Sequence, residues 1–188
     1  WGLGNKAGPY EDLDGFLNHA GELAQSLLAQ GITGMKIWPF DKAAEASDGQ
    51  YISNADLDAA LEPFRQIRQA VGQQMDIMVE FHSLWRLPMA RKIARALEPF
   101  NTFWHEDPIR IDSLDLLKAY AKDCKALVCA SETLSYKWGF KDYLQTGVAG
   151  VVRWVPRTAK RRPTSCSGNA SRARASQPSA AVAARTGV

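Results

Sequence analysis

The chain has no apolar run approaching the roughly 20 residues that span a bilayer, so its pattern excludes a membrane helix. It has only three cysteines, Cys124, Cys129 and Cys166, an odd count with no CxxC pair. That usage supports neither a disulfide framework nor a zinc site, and a reducing cytoplasm is the expected compartment. Cys129 reads as a small core residue on a strand. Gly2 and Gly4 are too sparse for a phosphate loop, and no GxGxxG or Walker A pattern occurs elsewhere. No Ser/His/Asp triad assembles. The opening stretch, Trp1-Gly2-Leu3-Gly4-Asn5-Lys6, lacks both signal-peptide features and a start methionine, and it reads as cut from a longer polypeptide.

Acidic residues are missing from 153–188, which holds eight Arg or Lys. The formal net charge of +3 therefore misleads. Without that segment, 15 basic residues face 20 acidic ones, and the body stands at −5. Hydrophobic residues make up 46% of the 188, enough for the core of one domain or part of one.

What is present is an alternation of helical and extended patterns. From 11 to 30, Leu13, Phe16, Leu17, Ala20, Leu23, Ala24, Leu27 and Leu28 repeat with helical period, and Gly31 is a fitting stop. A strand over 32–38 ends at Pro39. A polar loop is expected over 40–54, long enough to suggest a substrate-facing segment. A second helix spans about 55–71, either kinked at Pro63 or starting near Glu62. The strand 77–80 follows. Pro88 opens a third helix that stops before Pro99. The strand 102–106, a helix capped by Asp112 or Ser113, the strand 126–130, a helix over 138–145 and a strand start at 148–152 complete the series. Such alternation predicts an α/β fold, a partial TIM-type (β/α) barrel over 1–152. At Arg153 the pattern stops. Residues 153–188 are expected to be a disordered basic tail, read here as a frameshifted segment.

Three carboxylates, Glu80, Glu106 and Glu132, follow one another at intervals of 26 residues. Each closes or follows an apolar run: Ile77-Met78-Val79-Glu80, Thr102-Phe103-Trp104-His105-Glu106, and Ala126-Leu127-Val128-Cys129-Ala130-Ser131-Glu132. One βα unit uses about that many residues. The spacing puts the three at the same end of neighbouring parallel strands, where three anions need a cation between them. A hard divalent ion, Mg²⁺, is the economical choice. His82 lies two residues beyond Glu80. At strand spacing it shares a face with that carboxylate, and its ordinary pKa suits proton transfer. His105 falls on the opposite side of its strand and reads as structural, while His19 reads as solvated. Arg86 reads as a surface residue. Trp85, Tyr136 and Trp138 are open between pocket and packing.

The segments Glu80-Phe81-His82, Trp104-His105-Glu106-Asp107-Pro108 and Ser131-Glu132-Thr133 together resemble the enolase superfamily, most closely its mandelate racemase/muconate lactonizing group. The resemblance covers roughly 10–152. It implies a barrel whose capping domain and first strand are absent from this chain, with Glu80, Glu106 and Glu132 as Mg²⁺ ligands and Asp107 beside them as a non-ligand. It also implies abstraction of the proton α to a carboxylate, with His82 as the acid that protonates a leaving hydroxyl, as in acid-sugar dehydratases. Lys36 matches the first lysine of the family's Lys-x-Lys step and would help bind the substrate carboxylate, or it forms a salt bridge to a ligand Glu. Trp38 replaces the second lysine, the racemase base. The expected reaction is dehydration of a sugar acid to a 2-keto-3-deoxy acid, by a homo-oligomeric parent with no membrane or nucleic-acid partner. A racemase or epimerase, or a non-catalytic protein with a nucleic-acid-binding arm, are the alternatives. The chain alone is expected to be inactive and prone to associate through unpaired strand edges.

Overall fold

The computed structural model describes residues 11–110, 113–130 and 132–152. The tail at 153–188, the stretch 1–10 with Gly2 and Gly4, and Cys166, Asp112 and Ser131 lie outside them. The described chain runs α1 (Asp12–Asn18), α2 (Ala20–Ala29), β1 (Gly34–Ile37), α3 (Asp41–Ser47), α4 (Asn54–Val71), β2 (Asp76–Glu80) and α5 (Leu87–Leu97). It continues through β3 (Trp104–Glu106), α6 (Leu114–Asp123), β4 (Leu127–Ala130), α7 (Tyr136–Gln145) and β5 (Ala149–Val152). The five strands form one parallel sheet in the order β1-β2-β3-β4-β5. Strictly sequential order is that of a (β/α) barrel; a doubly wound sheet would reverse direction at a switch point. The chain is thus a segment of such a barrel. Among the described residues no helix is long and apolar enough to cross a membrane.

Strand alternation sorts the side chains into two layers. Ile37, Ile77, Val79 and Val128 are buried against the helices, where Phe64, Ile67, Ile93, Leu97, Leu117 and Tyr120 complete the core. Each such side chain contributes roughly 1.5–3 kcal/mol of burial. Lys36, Met78, Glu80, Trp104, Glu106 and Cys129 occupy the alternate positions, toward the barrel interior.

Three local expectations change. The single helix over 11–30 is two helices, broken at His19, whose backbone is not helical (φ −134°, ψ 37°). The break lets α2 lie against α4: a Cβ on Gly21 would stand 3.0 Å from the Gln66 carbonyl oxygen, and Ala20 N–H donates to Gln66 Oε1 at 3.1 Å. The expected polar loop contains α3, which buries only Ala44 and so has no apolar face to announce it. The helix over 55–71 runs through Pro63 and begins at Asn54, because Ser53 caps it by accepting from Asp56 N–H at 3.0 Å. Ser113 precedes α6 as expected but makes no side-chain capping bond.

The entry of the two central strands is set by one cation. Arg68, near the end of α4, donates to the carbonyls of Phe100 (2.8 Å), Gly72 (2.8 Å), Met75 (2.7 Å) and Asn101 (3.2 Å). Those carbonyls precede β2 and β3, so Arg68 levels the starts of both strands. Arg68→Ala should cost about 2 kcal/mol in urea unfolding, since charged hydrogen bonds are lost and carbonyls are left unpaired. A loss under about 0.5 kcal/mol, the level of an ordinary surface change, would show that water replaces it.

Candidate active site

Glu80 and Glu106 end β2 and β3 and are register partners across the ladder. Both are almost wholly buried, with 1% and 2% of their surfaces exposed. Two carboxylates in that position repel, and Lys36 from β1 answers them both. Its Nζ stands 2.7 Å from Glu80 Oε2 and 3.0 Å from Glu106 Oε2. The salt bridge expected as one possibility is therefore made twice. Glu80 Oε1 accepts the backbone N–H of Phe81 (3.1 Å) and of His82 (3.0 Å). Glu106 Oε2 accepts from the indole N–H of Trp104 at 3.2 Å. Burial pushes the Glu80 carboxyl up to about 7; Lys36 pulls it down, and the charge of Glu106 pushes it up again.

Equal spacing in sequence does not give equal height for the third carboxylate. Glu106 pairs with Cys129, not with Glu132. The offset from β3 to β4 is 23 residues (Trp104 with Leu127), while that from β2 to β3 is 26 (Met78 with Trp104). Glu132 consequently lies in a turn beyond β4, at the same end of the sheet but past the strand. Its charge still reaches His82. Among the described residues, no three His, Cys, Asp or Glu side chains stand together as a metal-holding group. The donor chemistry of the buried pair nonetheless fits a hard cation: two carboxylates, aligned by register, with a single lysine charge set against them.

His82 does not reach the site by strand alternation, because β2 ends at Glu80. It sits in a left-handed turn with Ser83 (φ 51° and 57°). There its Nδ1 lies 2.8 Å from Asp41 Oδ2 at the start of α3. The hydrogen bond to Asp41 is the largest influence on the imidazole and raises its pKa; burial opposes this, and the charges of Asp41, Glu80 and Glu132 add to the rise. Trp38 stands edge-on to His82 (centroids 6.1 Å apart, 77°) and to Phe16 (4.6 Å). Sequence reasoning missed Asp41 and Trp104. The one available signal for Asp41 was its place just after the end of the Lys36 strand.

The other candidates separate cleanly. His105 faces the helices. Tyr120 OH lies 2.6 Å from its Nδ1, and its Nε2 is 2.8 Å from Thr102 Oγ1. Burial pushes its pKa down to about 3. Trp85 is fully buried, whereas Tyr136 and Trp138 are exposed on α7. Arg86 pairs with Asp48 at 3.2 Å. Cys129 is buried in the strand as expected, its thiol pushed up to about 12 by burial.

A family model described as Enolase C-terminal domain-like matches residues 19–157. The D-galactonate dehydratase of Xanthomonas euvesicatoria pv. vesicatoria (strain 85-10) is 30% identical over 97 residues, which are 52% of this chain and 25% of that protein. The D-gluconate dehydratase of Thermoproteus tenax is 26% identical over 132 residues, 70% of this chain and 26% of that protein. Among solved structures, an enolase of the mandelate racemase subgroup from Agrobacterium tumefaciens is 63% identical with a TM-score of 0.70, covering 71% of this chain and 37% of that one. An enolase protein from environmental shotgun sequencing of the Sargasso Sea is 40% identical with a TM-score of 0.70, covering 73% and 37%. The chain thus spans about a quarter of the curated relatives and little over a third of the solved chains.

Proposed function

This chain belongs to the enolase C-terminal domain-like family, and on that premise we propose that it carries part of the active site of a sugar-acid dehydratase. The reaction is removal of the proton α to a carboxylate and loss of the β-hydroxyl, giving a 2-keto-3-deoxy acid. The observation that carries this reading is the pairing of two buried, register-matched carboxylates on Lys36 with a histidine held beside them by Asp41. The substrate class is supported by the relatives named D-galactonate and D-gluconate dehydratase.

Glu80, Glu106 and Glu132 are the residues that would hold Mg²⁺. When bound, the ion supplies a Lewis acid that stabilises negative charge developing on the substrate carboxylate. Lys36, whose ammonium carries three N–H donors and stands within 3.0 Å of both Glu80 and Glu106, is the group that would help bind a substrate carboxylate. His82 carries the proton that the departing hydroxyl takes, leaving as water. Trp38, an indole with no titratable group, stands where the family's racemase base would, which disfavours proton exchange from that side.

The test is ligand-linked stability. Mg²⁺ at about 100 times its dissociation constant should stabilise the chain by about 2.7 kcal/mol, and Glu106→Gln should remove most of that gain. In the full-length enzyme, D-gluconate and D-galactonate should yield a carbonyl product that His82→Asn suppresses about 100-fold or more. An unchanged Mg²⁺ response in Glu106→Gln would sink the assignment of the carboxylates.

A further inference from the structure

We infer that Trp104 is a positioning residue for Glu106: its indole N–H holds the carboxylate in the place from which it would serve Mg²⁺. This rests on the reading of Glu106 as a ligand. The ladder register supplies the frame. Lys36, Met78 and Trp104 are successive partners across β1, β2 and β3. Glu80 and Glu106 are the next register pair on the same face, two residues further along β2 and β3. Lys36 and Trp104 therefore form a floor one layer beneath the carboxylates, with Met78 between them. Both reach up to one atom, Glu106 Oε2: the lysine Nζ at 3.0 Å and the indole Nε1 at 3.2 Å.

The two donors differ in kind. Lys36 arrives from β1, two strands away from Glu106, on a flexible four-carbon stem, and its Nζ is closer to Glu80, at 2.7 Å. Trp104 stands on the same strand as Glu106. An indole turns about two side-chain torsions only, and its single N–H lies in the ring plane and can only donate. The backbone that carries both residues is held on either side. Before Trp104, Phe103 N–H donates to the Ile77 carbonyl at 2.8 Å, and Leu127 N–H to the Phe103 carbonyl at 3.1 Å. At the far end, Phe81 N–H donates to the Glu106 carbonyl at 3.0 Å, and Asp107 N–H to the Cys129 carbonyl at 2.8 Å. With β3 fixed in this way, the freedom that is left lies in the Glu106 side chain, and the indole bond restrains it. A lysine that turns to a substrate carboxylate then leaves Glu106 still held.

Calorimetric titration of the chain with Mg²⁺ tests this. Trp104→Phe keeps a ring without the N–H and should raise the Mg²⁺ dissociation constant about 10-fold. Trp104→His should recover part of the loss, because Nε2 of imidazole takes the place of Nε1 in a five-membered ring joined to the same Cβ. Equal weakening in both variants would trace the effect to lost packing and overturn the role of the N–H. Wild-type affinity in Trp104→Phe overturns the positioning role alone. Absence of Mg²⁺ binding by the wild type instead overturns the ligand reading beneath it. A second measurement needs neither metal nor a tryptophan variant, should Trp104→Phe fail to fold. The chain has six tryptophans, and the ¹H–¹⁵N indole signal of Trp104 is assigned through its proton contacts with Met78 and Leu127, its register partners. That signal should move in Glu106→Gln, and a signal that stays in place overturns the inference.

Discussion

Between pH 7 and pH 4 the wild-type chain should lose about 3 kcal/mol more stability than a His105→Gln variant. His105 is 1% exposed, and burial holds its pKa near 3 against an ordinary 6.5. A histidine depressed in this way binds a proton more readily unfolded than folded. Its favourable contribution is complete above about pH 6.5 and drains away as pH falls toward 3. Glu80 acts in the opposite sense. Its carboxyl, raised from 4.5 to about 7, costs the fold most when ionised, so acidification through that window favours the folded state. The raw pH profile therefore sums two opposing slopes, and only the difference from the variant isolates His105. Urea titrations at several pH values measure it. Parallel profiles for the two proteins would show that His105 is solvated or protonated in the folded state.

Gly49→Ala should cost about 3 kcal/mol, while Gly72→Ala, also at positive φ, should cost about 1 kcal/mol. Both have positive φ, at 68° and 58°. The surroundings differ. A Cβ on Gly72 meets nothing within 4 Å, but one on Gly49 would lie 2.0 Å from the Leu84 carbonyl oxygen and 2.9 Å from the Trp85 Cα. Backbone cannot yield as a flexible side chain can, so the end of α3 must lift from the loop after β2. Thermal or urea unfolding of the two variants side by side decides this. Equal losses would mean that the loop gives way without strain.

The central geometry was legible in the sequence because it follows from repetition. Buried parallel strands must read as apolar runs, and the 26-residue interval placed Glu80 and Glu106 opposite each other, as the ladder shows. The same interval put Glu132 at the same end of the sheet but could not give its height, because chain length counts loop residues while register counts only paired ones. Period 3.6 found α2, α4, α5 and α6, whose apolar faces are buried. It could not find α3, which is held by its ends and not by a face. The position of His82 was anticipated beside Glu80, but for a different reason. A left-handed turn and an acid 41 residues away in sequence orient it, and neither leaves a periodic trace.

Asp48 serves two arginines that belong to different loops. In terms of sequence change, this makes the three positions epistatic. A substitution at Arg86 alters what Arg110 is worth, and the reverse, because both draw on one carboxylate. Loops at the mouth of a barrel are the usual ground for exchanging specificity. Here the loops after β2 and β3 share one carboxylate, so an exchange of either changes what the other's arginine is worth. A graft that replaces one of them leaves Asp48 with a single arginine, so the end of α3 and the two loops are best transplanted together.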